Sequence, residues 1–135
     1  MIRFSDYRGQ YVLIFFYPKD ETPGCTAQAC SFRDNYVQIK ESNTVIFGIS
    51  RQNEDSHKKF IAKHKLPFDL LVDSDGAAAK AFGVGTVPVL GFTKRQSLLF
   101  SPEGKVIRFY EKVDPKTHVQ EVLKDIAKAS GKPAN

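Results

Sequence analysis

Two short apolar runs, each followed by a stretch with helical spacing, constrain the fold more than any other feature of this chain. Residues 12–17, "VLIFFY", and residues 44–50, "TVIFGIS", are rich in β-branched and aromatic side chains, which is typical of fully buried strands. Between them, residues 25–39 place apolar side chains on one helical face and polar side chains on the other. Two buried strands joined by a helix predict a parallel pair with a right-handed crossover.

The remainder of the chain supplies further predicted elements. Their sequence ranges are a helix at 53–65 opened by a capping cluster of Asn, Glu and Asp, an extended piece at 68–73, a short helix at 76–84, a Pro- and Gly-containing loop at 86–96, two strands at 96–101 and 105–111, and an amphipathic helix at 114–129. The two late strands flank "PEG", which favours a hairpin. The closing helix is expected to begin at Asp114 and Pro115.

This order of elements predicts an α/β fold of the thioredoxin-like type, with a mixed central β-sheet flanked by helices on both faces. We expect residues 1–135 to form a single domain, because a chain of 135 residues buries roughly two-thirds of its unfolded surface in one core. Residues 130–135, "SGKPAN", are expected to fray.

Charge and hydropathy exclude several classes of function. The N-terminus has no secretory pattern and the longest apolar run is short, so we expect a soluble, intracellular chain that does not enter a membrane. The formal charge of +5 is spread along the chain without aromatic interleaving, which does not favour nucleic-acid binding. The histidines His57, His64 and His118 lie in charged helical stretches, so we expect them on the surface.

The two cysteines of the chain stand five positions apart in "TPGCTAQACS". With Thr22 as N-cap and Pro23 as the first helical residue, Cys25 falls at about the third position of a helix. Backbone N–H groups lack intrahelical partners there and the helix dipole is positive, so a thiolate is stabilised. Cys25 is therefore the candidate nucleophile, and Cys30 lies deeper in the helix.

The spacing of the cysteines limits what they can do together. Five residues of ideal helix separate the two Cα atoms by roughly 8.6 Å, whereas a disulfide usually requires less than about 7 Å. Pairing Cys25 with Cys30 would therefore require the first helical turns to unwind. From the residues alone, four interpretations stay open: a structural disulfide, a metal site, two inert buried cysteines, or a catalytic pair that oxidises by unwinding and is reduced by a partner.

The segment "FFYPKDETPGCTAQACSFRD" resembles the active-site segment of the peroxiredoxins, whose motif PxxxTxxC is matched by Pro18, Thr22 and Cys25. A second cysteine five residues later is the pattern of the peroxiredoxin Q, or bacterioferritin comigratory protein, subfamily. The similarity runs over nearly the whole chain and includes "LPFDLLVDSDG" and "KRQSLLFSPEGKV", which carries Arg95 at the position of the family's arginine. The resemblance also implies an N-terminal hairpin that is shortened or missing before "RFSDYRG".

The resemblance implies an atypical 2-Cys peroxiredoxin, a thiol-dependent peroxidase that reduces hydrogen peroxide and organic hydroperoxides without a cofactor or metal. Cys25 would be the peroxidatic cysteine and Cys30 the resolving one, with an intramolecular disulfide between them. Thr22 would hydrogen-bond the thiolate or peroxide, Arg95 would stabilise the developing charge, and Pro18 would shield the thiolate from water. Gln28, one turn after Cys25, is expected to steady Arg95. The apolar run "VGTVPVLGF" is a candidate wall for an alkyl tail.

The same resemblance implies thioredoxin or glutaredoxin as the reductant and a role in antioxidant defence and redox homeostasis. We expect a monomer, because a helix that must unwind needs free space around it, and a cytoplasmic location, with plastid and nucleus as further options. Two other functions stay open. A thiol–disulfide reductase would share the fold but would favour Cys-x-x-Cys, and a redox-sensing binding module could use the cysteine pair to switch a helix.

Overall fold

The computed structural model describes residues 4–86 and 92–131. Its helices are α1 Pro23–Asp34, α2 Tyr36–Glu41, α3 Glu54–His64, α4 Ala77–Ala81 and α5 His118–Ser130, and its strands are β1 Tyr11–Phe16, β2 Thr44–Ser50, β3 Asp69–Val72, β4 Gln96–Phe100 and β5 Val106–Tyr110. A 3-10 turn at Phe4–Tyr7 precedes β1. None of the helices within the described ranges has the length and apolar character needed to cross a bilayer.

The strands form one five-stranded mixed sheet in the order β3-β2-β1-β4-β5. β1 and β2 pair in parallel, as do β2 and β3, whereas β4 pairs antiparallel with β1 and with β5. Helix α1 provides the predicted crossover between β1 and β2. The mixed sheet and the late hairpin confirm the predicted thioredoxin-like arrangement.

Alternate residues of β1 face two separate cores, as the two-residue period of a strand requires. Leu13 and Phe15 belong to a cluster that includes side chains of α1, α2, α3 and α5, whereas Ile14 and Phe16 belong to a cluster that includes α4. Helices therefore cover both faces of the sheet. Because β1 is buried on both faces, its sequence is continuously apolar rather than alternating.

The helix predicted over 25–39 is two helices in the structure. Helix α1 ends at Asp34, and α2 begins at Tyr36 after the intervening Asn35. The Asn35 side chain donates to the Ser31 carbonyl at 2.8 Å, a local bond of the kind that competes with the regular helical pattern. The break lies beyond both cysteines, so the segment that carries them is one continuous helix.

Four other predictions need correction or fall partly outside the described residues. Helix α5 begins at His118 rather than near Asp114, because 114–117 form a turn in which the Asp114 carbonyl accepts from the Thr117 and His118 amides. The expectation that His57 and His118 lie on the surface is wrong, since both are about 98–99 % buried. Most of the run predicted to fray, 132–135, lies outside the described residues, as does the central part of the loop at 86–96.

Candidate active site

Cys25 is the third residue of α1, as the sequence predicts. Thr22 is the N-cap, with extended backbone angles (φ −81°, ψ 152°), and Pro23 is the first helical residue. The rigid ring of Pro23 suits that position, since the missing N–H would have no intrahelical partner there. Cys25 is 2 % exposed and packs into the core cluster below α1, close to the positive end of the helix.

Arg95 joins the site from the residue before β4, the strand that pairs with β1 and places Gln96 opposite Phe16. Its Nη2 donates to Cys25 Sγ at 3.2 Å, and its Nη1 donates to Gln28 Oε1 at 2.7 Å. The planar guanidinium therefore bridges Cys25 and a residue one helical turn further on, a two-donor geometry that lysine lacks. This arrangement brings together Cys25, Gln28 and Arg95, although Arg95 is 70 residues from Cys25 in the chain.

Gly24 provides the space that Arg95 occupies. A Cβ atom at position 24 would stand 2.9 Å from Arg95 Nη2 and 3.6 Å from its Cζ. The absence of a side chain therefore allows the guanidinium to approach the first turn of α1.

Gln28 is 1 % exposed. Its Oε1 is held by Arg95, while its Nε2 has no hydrogen-bond partner among the residues that the structure describes. A buried amide donor without a partner is uncommon in folded proteins. Within the described residues, the candidate site therefore contains an unused amide donor, Gln28 Nε2, in addition to the guanidinium.

The structure places Thr22 and Pro18 in the loop between β1 and α1. The Thr22 hydroxyl donates to the Lys19 carbonyl at 2.8 Å, so it must rotate before it can donate to a thiolate or a peroxide. Pro18 is half-buried, and its carbonyl lies 3.5 Å from the Gln52 amide nitrogen, Nε2.

Cys30 is half-buried and, like Cys25, is a free thiol. Both cysteines lie within the unbroken helix α1, which fixes them in the geometry that the sequence predicts for an unpaired state. The structure is therefore a reduced form with α1 wound.

A buried polar cluster that the sequence did not predict lies beside the site and is formed by Tyr17, Asp20 and His57. Asp20 receives hydrogen bonds from the Tyr17 hydroxyl at 2.5 Å and from His57 Nδ1 at 2.6 Å. One signal could have indicated it: His57 precedes Phe60 by three residues, which places both on one face of α3. Across residues 4–86 and 92–131, no group of three or more His, Cys, Asp or Glu side chains is arranged to hold a metal ion.

The sequence and the structure are both similar to those of proteins from one family. Residues 1–109 match the model of the AhpC/TSA family. The chain is 41 % identical to peroxiredoxin Bcp of Bacillus subtilis, over 97 % of this chain and 87 % of the relative. It is 40 % identical to the chloroplastic peroxiredoxin Q of Sedum lineare, over 91 % of this chain and 67 % of that protein.

A solved structure of the Xanthomonas campestris bacterioferritin comigratory protein, studied for its alkyl peroxide reduction activity, superposes with a TM-score of 0.87. It is 32 % identical in sequence, and the match covers 97 % of this chain and 86 % of that one. The fold, the position of Cys25 and these similarities agree. The chain belongs to the AhpC/TSA family and, within it, to the Bcp or peroxiredoxin Q group of thiol-dependent peroxidases.

Proposed function

We propose that this chain reduces hydrogen peroxide and organic hydroperoxides, with Cys25 as the peroxidatic cysteine and Cys30 as the resolving cysteine. One observation carries the assignment: Arg95 Nη2 lies 3.2 Å from the sulfur of a cysteine in the first turn of a helix. A cationic donor and a helix N-terminus both favour the thiolate, which is the form that attacks a peroxide. Cys30 is half-buried and is the eighth residue of α1, away from the N-terminus of the helix.

In the first step the Cys25 thiolate attacks one oxygen of the peroxide. The S–O bond forms as the O–O bond breaks, the other oxygen leaves as an alkoxide or hydroxide that takes up a proton, and Cys25 becomes a sulfenic acid. Negative charge moves from sulfur to the leaving oxygen, so donors on both atoms accelerate the step. Arg95 supplies such donors, and the rotated Thr22 hydroxyl and Gln28 Nε2 are available to supply more. Pro18 would shield the thiolate from water.

In the second step Cys30 attacks the Cys25 sulfur. The S–S bond forms, the S–O bond breaks and water leaves after protonation. Within an intact helix the Cα atoms of residues five apart stand roughly 8.6 Å apart, so the start of α1 must unwind for the disulfide to form. The unwound segment would also expose the disulfide to a reductant.

Thioredoxin or glutaredoxin would return the two electrons by thiol–disulfide exchange. We infer a monomer in a reducing intracellular compartment, with the cytoplasm as the expected location and the plastid as the alternative suggested by the chloroplastic relatives. We propose organic hydroperoxides as substrates because the similar Xanthomonas campestris protein is described by its alkyl peroxide reduction activity.

The test uses Cys30→Ser and Cys25→Ser beside the unmodified protein. After one equivalent of hydrogen peroxide, the unmodified protein should lose the mass of two hydrogens, and Cys30→Ser should stop at sulfenic acid, trapped by dimedone. Turnover coupled to thioredoxin and its reductase should be lost in both variants. Full thioredoxin-driven turnover by Cys30→Ser would contradict the resolving role, and retained peroxide consumption by Cys25→Ser would contradict the nucleophile.

A further inference from the structure

A buried polar cluster lies at the base of the loop that leads from β1 to Cys25. Asp20 is 4 % exposed and accepts three hydrogen bonds, from the Tyr17 hydroxyl at 2.5 Å, His57 Nδ1 at 2.6 Å and the Ser56 hydroxyl at 2.8 Å. The other ring nitrogen of His57, Nε2, lies 3.0 Å from the Leu71 carbonyl. The cluster therefore connects the loop to α3 and to β3.

The His57 ring faces an acceptor at each of its two nitrogens. Nδ1 lies against the Asp20 carboxylate and Nε2 lies against the Leu71 carbonyl. Burial alone would raise the pKa of Asp20, but the hydrogen bonds from His57, Tyr17 and Ser56 outweigh it and hold that pKa below its ordinary value. Asp20 and His57 thus form a buried hydrogen-bonded pair, and removing one partner would leave the other without its bond.

Tyr17 connects the Asp20–His57 pair to the core cluster that contains Cys25. Its ring belongs to the same core cluster as Cys25, and its hydroxyl is within electrostatic range of the Cys25 thiol. Burial, Asp20 and the charge on Cys25 all act to raise the pKa of Tyr17, so it stays a neutral donor to Asp20. Hydrogen bonds therefore connect His57 to Asp20 and Asp20 to Tyr17, and the Tyr17 ring lies in the same core cluster as Cys25.

The same loop is fastened at further points before Thr22. The Tyr17 amide donates to the Ile49 carbonyl at 3.1 Å, and the Asp20 amide donates to Gln52 Oε1 at 2.9 Å. Glu21 has a positive φ of 66° and pairs with Lys63 of α3 at 2.9 Å. This series of contacts stops before Thr22. The Thr22 side chain, although it is at the N-cap of α1, makes no capping hydrogen bond to the helix.

We propose that His57 is a positioning residue for Cys25: through Asp20 and Tyr17 it fixes residues 17–21 on α3, so that unwinding of α1 during disulfide formation begins after this anchor. The inference rests on the proposed peroxidase function. The anchor holds the wound, peroxide-reactive form of the site. Weakening it should slow attack on peroxide, favour the unwound form in which Cys30 reacts, and reduce over-oxidation of Cys25 to sulfinic acid.

The experiment compares Tyr17→Phe with Tyr110→Phe. Each variant removes one hydroxyl that donates to a carboxylate, Asp20 at 2.5 Å in one case and Asp125 at 2.6 Å in the other, and only Tyr17 belongs to the anchor. His57→Leu and His57→Asn form a second pair, because Asn keeps a donor that can reach Asp20 and Leu does not. Three quantities are measured with hydrogen peroxide: the single-turnover rate of Cys25 oxidation, the rate of disulfide formation, and the sulfinic acid fraction at excess peroxide.

We expect Tyr17→Phe and His57→Leu to oxidise about 10- to 100-fold more slowly, the size of effect that small misplacements of reacting groups produce. Both variants should form the disulfide at least as fast as the unmodified protein and should yield less sulfinic acid. Tyr110→Phe should leave all three quantities unchanged, and His57→Asn should restore most of the rate of Cys25 oxidation. If the unmodified protein reacts rapidly but Tyr17→Phe behaves like Tyr110→Phe, the positioning role alone is overturned. If the unmodified protein reacts no faster than its Cys25→Ser variant, the peroxidase function and the inference both fail.

Discussion

Replacing Gly24 by alanine should slow the peroxide step without destabilising the fold. The added Cβ would stand 2.9 Å from Arg95 Nη2, the nitrogen that donates to Cys25 Sγ. An ordinary van der Waals contact is about 3.5 Å or more, so the guanidinium must retreat by roughly half an ångström or turn away. The atom that moves is the end of a flexible side chain, so the clash itself costs little stability.

The magnitude follows from the bond that is lost. A hydrogen bond to a charged group contributes about 1.5–3 kcal/mol, and each 1.36 kcal/mol is a factor of ten in rate. Complete loss of the Arg95 bond to the Cys25 thiolate therefore corresponds to a rate about 10- to 150-fold lower. Alanine is the better helix former by up to about 1 kcal/mol, so the melting temperature of Gly24→Ala should not fall.

The assay is stopped-flow oxidation of pre-reduced protein by hydrogen peroxide, with thermal unfolding measured on the same samples. Gly85→Ala is the matched control, because its Cβ would stand 2.9 Å from Lys94 Cδ, another flexible side chain, whereas the donor to Cys25 Sγ belongs to Arg95. We expect a slow, stable Gly24→Ala and a Gly85→Ala that reacts like the unmodified protein. A Gly24→Ala variant that reacts at the unmodified rate would refute the assigned contact between Arg95 and Cys25.

Three further predictions concern the site and its surroundings. Arg95→Lys should react with peroxide about 10- to 150-fold more slowly in the same stopped-flow assay, because a point charge cannot hold Cys25 and Gln28 together; unchanged kinetics would remove Arg95 from the site. Gln28→Leu removes the acceptor for Arg95 Nη1, whereas Gln28→Glu keeps one. Alkylation of Cys25 by iodoacetamide at pH 7 should therefore be slower in Gln28→Leu than in Gln28→Glu. Equal rates in the two variants would contradict the role of Gln28 Oε1. Burial lowers the pKa of His118 below its ordinary value of 6.5, although Glu121 opposes the shift. The unfolded chain therefore binds the proton more readily than the folded chain does. The free energy of unfolding should then fall as the pH drops below about 6.5, by at most about 1.4 kcal/mol per pH unit. Chemical denaturation of His118→Gln should show a shallower decline, and an identical decline would exclude His118 as its source.

The elements that position Cys25 could be predicted because their signals are local. Strand β1 is one continuous apolar run, and Thr22 followed by Pro23 defines the start of α1, so the third helical position of Cys25 follows from the residues alone. The cysteine spacing also predicts that the pair is unbonded while α1 is wound, and both thiols are free in the structure.

The partners of these residues could not be read from local patterns. Arg95 meets Cys25 across 70 positions, and its assignment came from resemblance to a family rather than from any periodicity. Asp20 and His57, 37 positions apart, each look like surface residues, because acidic and histidine side chains are rarely buried without a partner and neither sequence neighbourhood reveals the other. Burial of a charged group depends on where the fold brings its counterpart.

The boundary between α1 and α2 was missed for a related reason. The apolar face continues past Asn35 from Phe32 to Ile39, so periodicity predicts one helix. The break depends on a side-chain bond from Asn35 to the Ser31 carbonyl, which competes with the regular pattern and leaves the apolar spacing unchanged.

The most direct test of the central claim is the rate at which stoichiometric, pre-reduced protein consumes hydrogen peroxide, measured beside Cys25→Ser. We predict rapid loss of one equivalent of peroxide, far faster than reaction with free cysteine, and no such loss with Cys25→Ser. Consumption no faster than by free cysteine, or equally fast consumption by Cys25→Ser, would contradict the assignment of Cys25 as the peroxidatic nucleophile.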